Sequence, residues 1–145
     1  MESNYVDRNR ASQERLRTLV KRLSDDELTR ELPDGWTIAD ALGHLAFYYR
    51  RAAILLRRFA NEGVFASPYD YDTINEVLLH FTRRVPARAV AEEALAAAEA
   101  ADEAAARTPE ALISEIRSVG HVKLDRAEHR ENHLADIEAL LGRAQ

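Results

Sequence analysis

Apolar residues recur along this chain at the three- and four-residue spacing of helices. Over residues 5 to 23 the apolar positions fall on one side, and Arg, Glu, Gln and Lys cover the other. This pattern predicts an amphipathic helix with one buried stripe. Ser24 and Glu27 then fit a cap that opens a short helical turn, and Pro33 and Gly35 interrupt the chain.

The second predicted helix has a defined start. Thr37 is followed three residues later by Asp40, which is the spacing of a capping box that satisfies free amides of the first turn. Apolar residues at helical spacing continue to about Asn61, where Glu62 and Gly63 end the pattern.

The second half of the chain predicts two more long helices. Asp72 is expected to cap a third helix, which continues past Pro86 into an alanine- and glutamate-rich stretch over residues 87 to 106. A short helix is expected at residues 110 to 117, and a last helix over residues 121 to 141, closed by Gly142. Without strand-like alternation, the pattern predicts an all-α four-helix bundle with short additional helices, as one domain over residues 1 to 145.

Composition and charge exclude several functions. The net charge of −5 argues against nucleic acid as a main partner, which would require a basic face. The chain has no cysteine, so a thiol could take part in chemistry here only as a small cosubstrate. No stretch approaches about 18 consecutive apolar residues, and the N-terminal residues lack an apolar signal core. We therefore expect a cytoplasmic protein that does not bind a membrane.

Three histidines are predicted to face the interior of the bundle or its margin. His129 and His133 are four residues apart and project from the same side of a helix, about 6 Å apart. At about 100° per residue, His133 lies inside the apolar arc of its helix and His129 at its rim, while His44 lies at the edge of the buried arc of the second helix. These positions suit ligands of one metal ion, or histidines that are hydrogen-bonded within the core.

Three segments of the sequence resemble the DinB-like superfamily. The segment LPDGWTIADALGHL, residues 32 to 45, resembles the family motif of a Gly-Trp pair opening a helix, followed by a histidine and an apolar residue. The segment from His129 to Ile137 is similar to the family's later motif, His-x-x-x-His-x-x-x-Ile. The segment DTIN, residues 72 to 75, followed by Arg-rich sequence and Pro86, resembles the mycothiol-isomerase branch. The likeness covers residues 23 to 141.

The resemblance implies a four-helix bundle with a metal site. The family includes mycothiol-dependent maleylpyruvate isomerases and bacillithiol transferases. By this likeness His44, His129 and His133 hold zinc or nickel, with water at the open positions. Three protein ligands and an open position are typical of catalytic rather than structural metal sites.

Further side chains are expected around this metal site, and four of them are predicted to bind substrate: Tyr48, Asn75, Arg126 and Arg130. Asp40 and Tyr48 lie one helical turn on either side of His44. The two arginines fall on the apolar side of the predicted last helix, where they could hold a carboxylate. Alternatively, both arginines reach solvent or pair with a glutamate across the bundle, and Asn75 extends a helix cap.

These features predict a metal-dependent enzyme that acts on a small molecule with a low-molecular-weight thiol, as a transferase or an isomerase. One alternative is a non-catalytic bundle that binds a metal or another ligand. A second is a small metal-dependent hydrolase or resistance protein. His80 and His121 are not assigned to the metal. The alanine-rich third helix offers a flat surface that suggests a homodimer.

Overall fold

The computed structural model describes residues 4 to 142, and its helices are named here in chain order: α1 (Asn4–Arg22), α2 (Asp25–Leu28), α3 (Ile38–Glu62), α4 (Tyr71–Thr82), α5 (Ala87–Ala106), α6 (Glu110–Val119) and α7 (Ala127–Leu141). The described residues form no β-strand beyond an isolated bridge between Glu31 and Thr37. The prediction of an all-α fold is confirmed. The single domain predicted over residues 1 to 145 includes residues 1 to 3 and 143 to 145, which lie outside the described residues.

The local sequence signals place the first helices correctly. Ser24 and Glu27 form a reciprocal capping box at the start of α2, and Thr37 and Asp40 form another at the start of α3. Each box satisfies amide groups that have no partner within the helix. Among helices α1 to α7, none has the length and apolar content needed to cross a membrane.

The main core lies between α3 and α5. Helix α3 contributes large side chains such as Leu42, Leu45 and Phe59, and the facing side of α5 is built from buried alanines: Ala91, Ala94, Ala97, Ala98, Ala101 and Ala105. The small methyl groups allow the two helices to pack closely. Helix α3 covers this alanine face, so the face packs within the chain, and the homodimer stays a prediction.

Two predicted helix starts are wrong. Asp70 rather than Asp72 caps α4, since its side chain accepts a hydrogen bond from the Thr73 amide. The last helix begins at Ala127 rather than near residue 121. Tertiary hydrogen bonds account for this late start, because the Asn9 side chain on α1 donates to the Leu124 carbonyl and accepts from the Arg126 amide.

A buried arginine attaches α7 to the rest of the bundle. The guanidinium of Arg130 is fully buried and makes two hydrogen bonds of 2.8 and 2.9 Å with the Asp102 carboxylate on α5. It also donates to the Tyr49 hydroxyl on α3 and to Ser12 on α1. Burial lowers the pKa of Arg130, but Asp102 and Tyr49 more than offset this effect, so the pKa is raised overall. One charged group therefore connects α7 to three other helices.

Replacing Asp102 with asparagine is expected to destabilise the fold strongly. Asp102→Asn keeps the shape of the side chain but leaves the Arg130 charge buried without a counter-charge, which costs about 3–5 kcal/mol in comparable pairs. Urea unfolding followed by circular dichroism measures the loss.

The matched control is Glu103→Gln, because Glu103 pairs with Arg107 at the surface of the same helix. This control should change the free energy of unfolding by less than about 1 kcal/mol. An equally small change for Asp102→Asn would contradict the role given to the buried pair.

Candidate metal centre

Two helices bring the three predicted histidines together. His44 lies on α3, and His129 and His133 lie on α7. Each histidine offers one ring nitrogen, and these nitrogens all lie within 4.8 Å of one another. The ring centroids are 4.7 to 5.5 Å apart. His44, His129 and His133 are called the histidine group below.

The hydrogen bond of His44 fixes which of its nitrogens carries the proton. Nδ1 of His44 lies 3.1 Å from Oδ1 of Asn75. Because an amide oxygen can only accept, Nδ1 must donate, and the lone pair then resides on Nε2. Nε2 is buried and has no hydrogen-bond partner, an arrangement that costs about 1–3 kcal/mol unless something binds there.

The other two histidines present their nitrogens at the spacing of metal ligands. The Nε2 atoms of His129 and His133 are 3.2 Å apart. In a tetrahedral zinc site with Zn–N distances of about 2.0–2.1 Å, neighbouring ligand nitrogens are about 3.3 Å apart. Three imidazoles are suitable ligands for zinc or nickel. The donor set and the unpaired Nε2 of His44 thus fit a divalent transition metal.

The three imidazoles are neutral near pH 7. The pKa values of His44 and His129 are lowered to about 4, mainly by burial and in part by the proximity of His133 and Arg126. Burial also lowers the pKa of His133. Neutral imidazole is the form that binds a metal ion, so these rings need not lose a proton to do so.

Helix α4 places Asn75 against His44. It can approach α3 closely because residue 43 is glycine, where a Cβ atom would lie 2.6 Å from Cγ2 of Thr82. At the C-terminal end of α4, Arg83 pairs with Asp40 at 3.0 Å. Asp40 therefore caps α3 and anchors α4, and Asn75, rather than Asp40, orients His44.

Aromatic rings surround His44. The ring centroids of Trp36, Tyr48 and Tyr71 lie 5.5, 5.0 and 5.8 Å from that of His44. The Tyr48 hydroxyl is buried without a hydrogen-bond partner. Burial raises the pKa of Tyr48 to about 12, so this hydroxyl stays protonated and can donate a hydrogen bond.

Two cavities border the histidine group on different sides. The first cavity, of about 680 Å³, is lined in part by His44, Asn75 and His133. The second, of about 500 Å³, is lined in part by Tyr48, Arg126 and His129. Small-molecule sites are commonly of this size. Three of the four side chains predicted to bind substrate thus line a cavity.

Arg130 lies elsewhere. Its guanidinium is enclosed by α1, α3 and α5 and bonded to Asp102, so it reaches neither of the two cavities. The structure matches the alternative of pairing across the bundle, with an aspartate as the partner. The two remaining histidines also lie outside the group: His80 is exposed, and His121 accepts a hydrogen bond from the Ser67 amide.

Sequence reasoning missed Tyr71, which lines both cavities. Its ring stacks on Tyr48 with centroids 5.7 Å apart. The pattern placed Tyr71 in a loop, because the cap of α4 was assigned two residues too late. Recognising Asp70 as the cap would have put Tyr71 in the first turn of α4, one turn before Asn75.

Comparisons with known proteins give one match. The family model described as the DinB superfamily matches residues 8 to 142, which include all three histidines of the group. No curated protein and no solved structure matches the chain.

The histidine group is expected to bind one divalent ion per chain. The protein expressed with zinc or nickel should retain stoichiometric metal after gel filtration, and His44→Ala and His133→Ala should each abolish it, because each removes one of three ligands. Elemental analysis measures the metal content. His80→Ala is the control and should leave metal content unchanged. Loss of metal from His80→Ala alone, or none in the wild type, would contradict the site.

Asn75→Leu should weaken the binding of Zn²⁺ by about 10- to 100-fold, the usual effect of removing a hydrogen bond that orients a metal-binding histidine. Leucine fills a similar volume but cannot accept from Nδ1 of His44, so the ring loses its fixed tautomer. Competition titration with a coloured chelator measures the affinity. The control is Glu76→Gln, at the neighbouring exposed position. Equal affinities for both variants would contradict the role of Asn75.

Proposed function

The chain belongs to the DinB superfamily, and we propose that it is a metal-dependent enzyme that uses a low-molecular-weight thiol to transfer a group to, or isomerise, a small molecule. The metal of this proposal is zinc or nickel, held by His44, His129 and His133. The observation that carries the proposal is the buried Nε2 atom of His44, which has no protein partner and whose lone pair Asn75 fixes in place.

The surroundings of the histidine group favour a catalytic site over a structural one. Structural zinc sites are closed by four protein ligands, whereas here three histidine nitrogens converge. Cavities adjoin the group beside His129 and beside His133. Two reactants could therefore approach from different sides, as a reaction between a thiol and a second substrate requires.

The thiol has to come from outside the chain, because the sequence contains no cysteine. When bound, a divalent ion supplies Lewis acidity, which favours the deprotonated form of a thiol or of a water molecule. The protein supplies the orientation of the reactants and the exclusion of water. Three aromatic rings form an apolar wall around His44 that limits the access of water: those of Trp36, Tyr48 and Tyr71.

Tyr48 is the proposed proton or hydrogen-bond donor to the substrate. Its hydroxyl is buried without a protein partner, and its high pKa keeps the proton in place near pH 7. A positioned donor stabilises negative charge that develops on a reacting oxygen. Asn75 acts through His44 and is a positioning residue.

Turnover should depend on both a thiol and the histidine group. We expect at least one small thiol from a panel of glutathione, mycothiol and bacillithiol to react with a chromogenic electrophile, or to drive isomerisation of maleylpyruvate, faster with the protein than without it. His44→Ala should remove this activity. Absorbance assays at matched protein and metal concentrations measure both reactions.

Tyr48→Phe should lower kcat by about 100-fold if its hydroxyl is the donor, a typical contribution of one acid–base group. Tyr5→Phe is the matched control, because it removes a core hydroxyl that bonds the Ala105 carbonyl, away from both cavities. Thiol-independent hydrolysis by the metal-loaded protein would favour the hydrolase alternative instead. Stoichiometric metal without turnover in any assay would favour a binding protein.

A further inference from the structure

The cavity beside His129 is lined by positive charge. A single carboxylate, that of Asp125, lines this cavity. Four cationic side chains line it as well: Arg51, Arg117, Lys123 and Arg126. The cavity on the other side of the histidine group has no cationic lining residue and two carboxylates, Asp34 and Asp136. The two sides of the site therefore differ in charge. The cavity beside His129 is called the cationic cavity below.

Hydrogen bonds within the protein already engage two of the charged groups that line this cavity. The Asp125 carboxylate accepts from Nε of Arg8 at 2.9 Å and from the Ala127 amide at 3.1 Å, so it is not available to neutralise the cavity. The guanidinium of Arg51 donates to the His121 carbonyl and to Ser67, which makes it part of the cavity wall.

Arg126 is less well satisfied than Asp125 and Arg51. Its Nε atom is buried and has no hydrogen-bond partner, and Arg126 forms no ion pair within residues 4 to 142. Its guanidinium has only a 3.4 Å contact with the Lys123 carbonyl and lies 5.4 Å from the Tyr49 ring. Burial lowers the pKa of Arg126, as expected for a cation removed from water without a counter-charge.

Arg130 provides an internal comparison. It lies one helical turn after Arg126 and is fully buried, whereas Arg126 is partly exposed. The Arg130 guanidinium holds the Asp102 carboxylate through two hydrogen bonds. A buried charge is costly unless it is paired. The chain supplies a counter-charge to one arginine and leaves the other facing a cavity.

The unpaired charge also acts on the histidine group. His129 lines the cationic cavity together with Arg126 and Lys123, so the positive charge lies beside the histidine group. The positive potential therefore extends from the cavity to the histidines. An anion in the cavity would offset this potential and reduce the cost of holding a divalent cation nearby.

We propose that the cationic cavity binds the anionic group, a carboxylate or phosphate, of a reactant, with Arg126 as the anchor and Lys123 as a second cation at the exposed edge. The assignment of this anion to a reactant rests on the proposed function. The two cavities also predict how that reactant is oriented. Its charged end lies beside His129, and an uncharged part lies in the cavity beside His133. Planar guanidinium groups suit both anions, because they can donate two parallel hydrogen bonds.

Binding of two small anions to the whole chain tests the inference. Isothermal titration at low ionic strength with succinate and with inorganic phosphate should give saturable binding, and the neutral analogue succinamide should bind at least about tenfold more weakly, because it cannot form a charge-assisted pair. The tighter of the two anions distinguishes a carboxylate from a phosphate site. The protein is titrated as purified and again after dialysis against EDTA, since an anion could also contact a bound metal.

Arg126→Gln should weaken binding of the preferred anion by about tenfold or more, with and without the metal. Lys123→Gln, at an exposed position where folding is not at risk, should weaken it by about twofold or more. Arg57→Gln changes an exposed arginine of α3 outside the cationic cavity and should have no effect. Circular dichroism verifies that each variant is folded.

Three results would overturn the inference: no saturable binding of either anion, succinamide binding as tightly as succinate, or equal anion affinity in the wild type, Arg126→Gln and Lys123→Gln. These outcomes are independent of the proposed enzyme activity. Anion binding that depends on Arg126 in a protein without thiol-dependent turnover would retain the cavity and reject the enzyme. Thiol-dependent turnover, together with an anion affinity that Arg126→Gln leaves unchanged, would retain the enzyme and reject the anion site.

Discussion

The candidate site depends on the buried pair between Arg130 and Asp102. Helix α7 supplies two of the three histidines, yet it packs mainly along α1 and has few contacts with α3, which carries His44. The guanidinium of Arg130 bridges this gap, because it bonds Tyr49 on α3 as well as Asp102 on α5. A charged group in a low-dielectric interior tolerates little displacement from its partners. The pair between Arg130 and Asp102 therefore fixes the position of α7, and with it the distance between His44 and the other two histidines.

The polar atoms that the fold leaves unpaired are concentrated around that site. In the described part of the chain, the buried side-chain nitrogens and oxygens without a partner belong to His44, Tyr48 and Arg126. Natural proteins satisfy nearly all such groups, and the exceptions often mark functional positions. Here the three exceptions are the proposed metal ligand, the proposed hydrogen-bond donor and the proposed anion anchor. Each is a group that a substrate or an ion would complete.

Helix α4 contributes to the site in a different manner from the bundle helices. It has no buried residue and is held against α3 by polar contacts, Asn75 to His44 and Arg83 to Asp40. Gly43 permits this close approach. The tautomer of His44 thus depends on a helix that adds little to the core.

Local signals in the sequence determined the helices, their first caps and the faces on which the histidines lie, because periodicity and capping act over a few residues. Tertiary contacts decided the rest. Hydrogen bonds made by Asn9 on α1 delay the start of α7. Arg126 therefore lies just before α7, although the periodicity predicted that it lies within the last helix. Only Arg130 can then reach Asp102, while Arg126 faces a cavity. Two arginines with the same sequence pattern acquired opposite environments because the position of their counter-charge depends on how helices far apart in sequence pack.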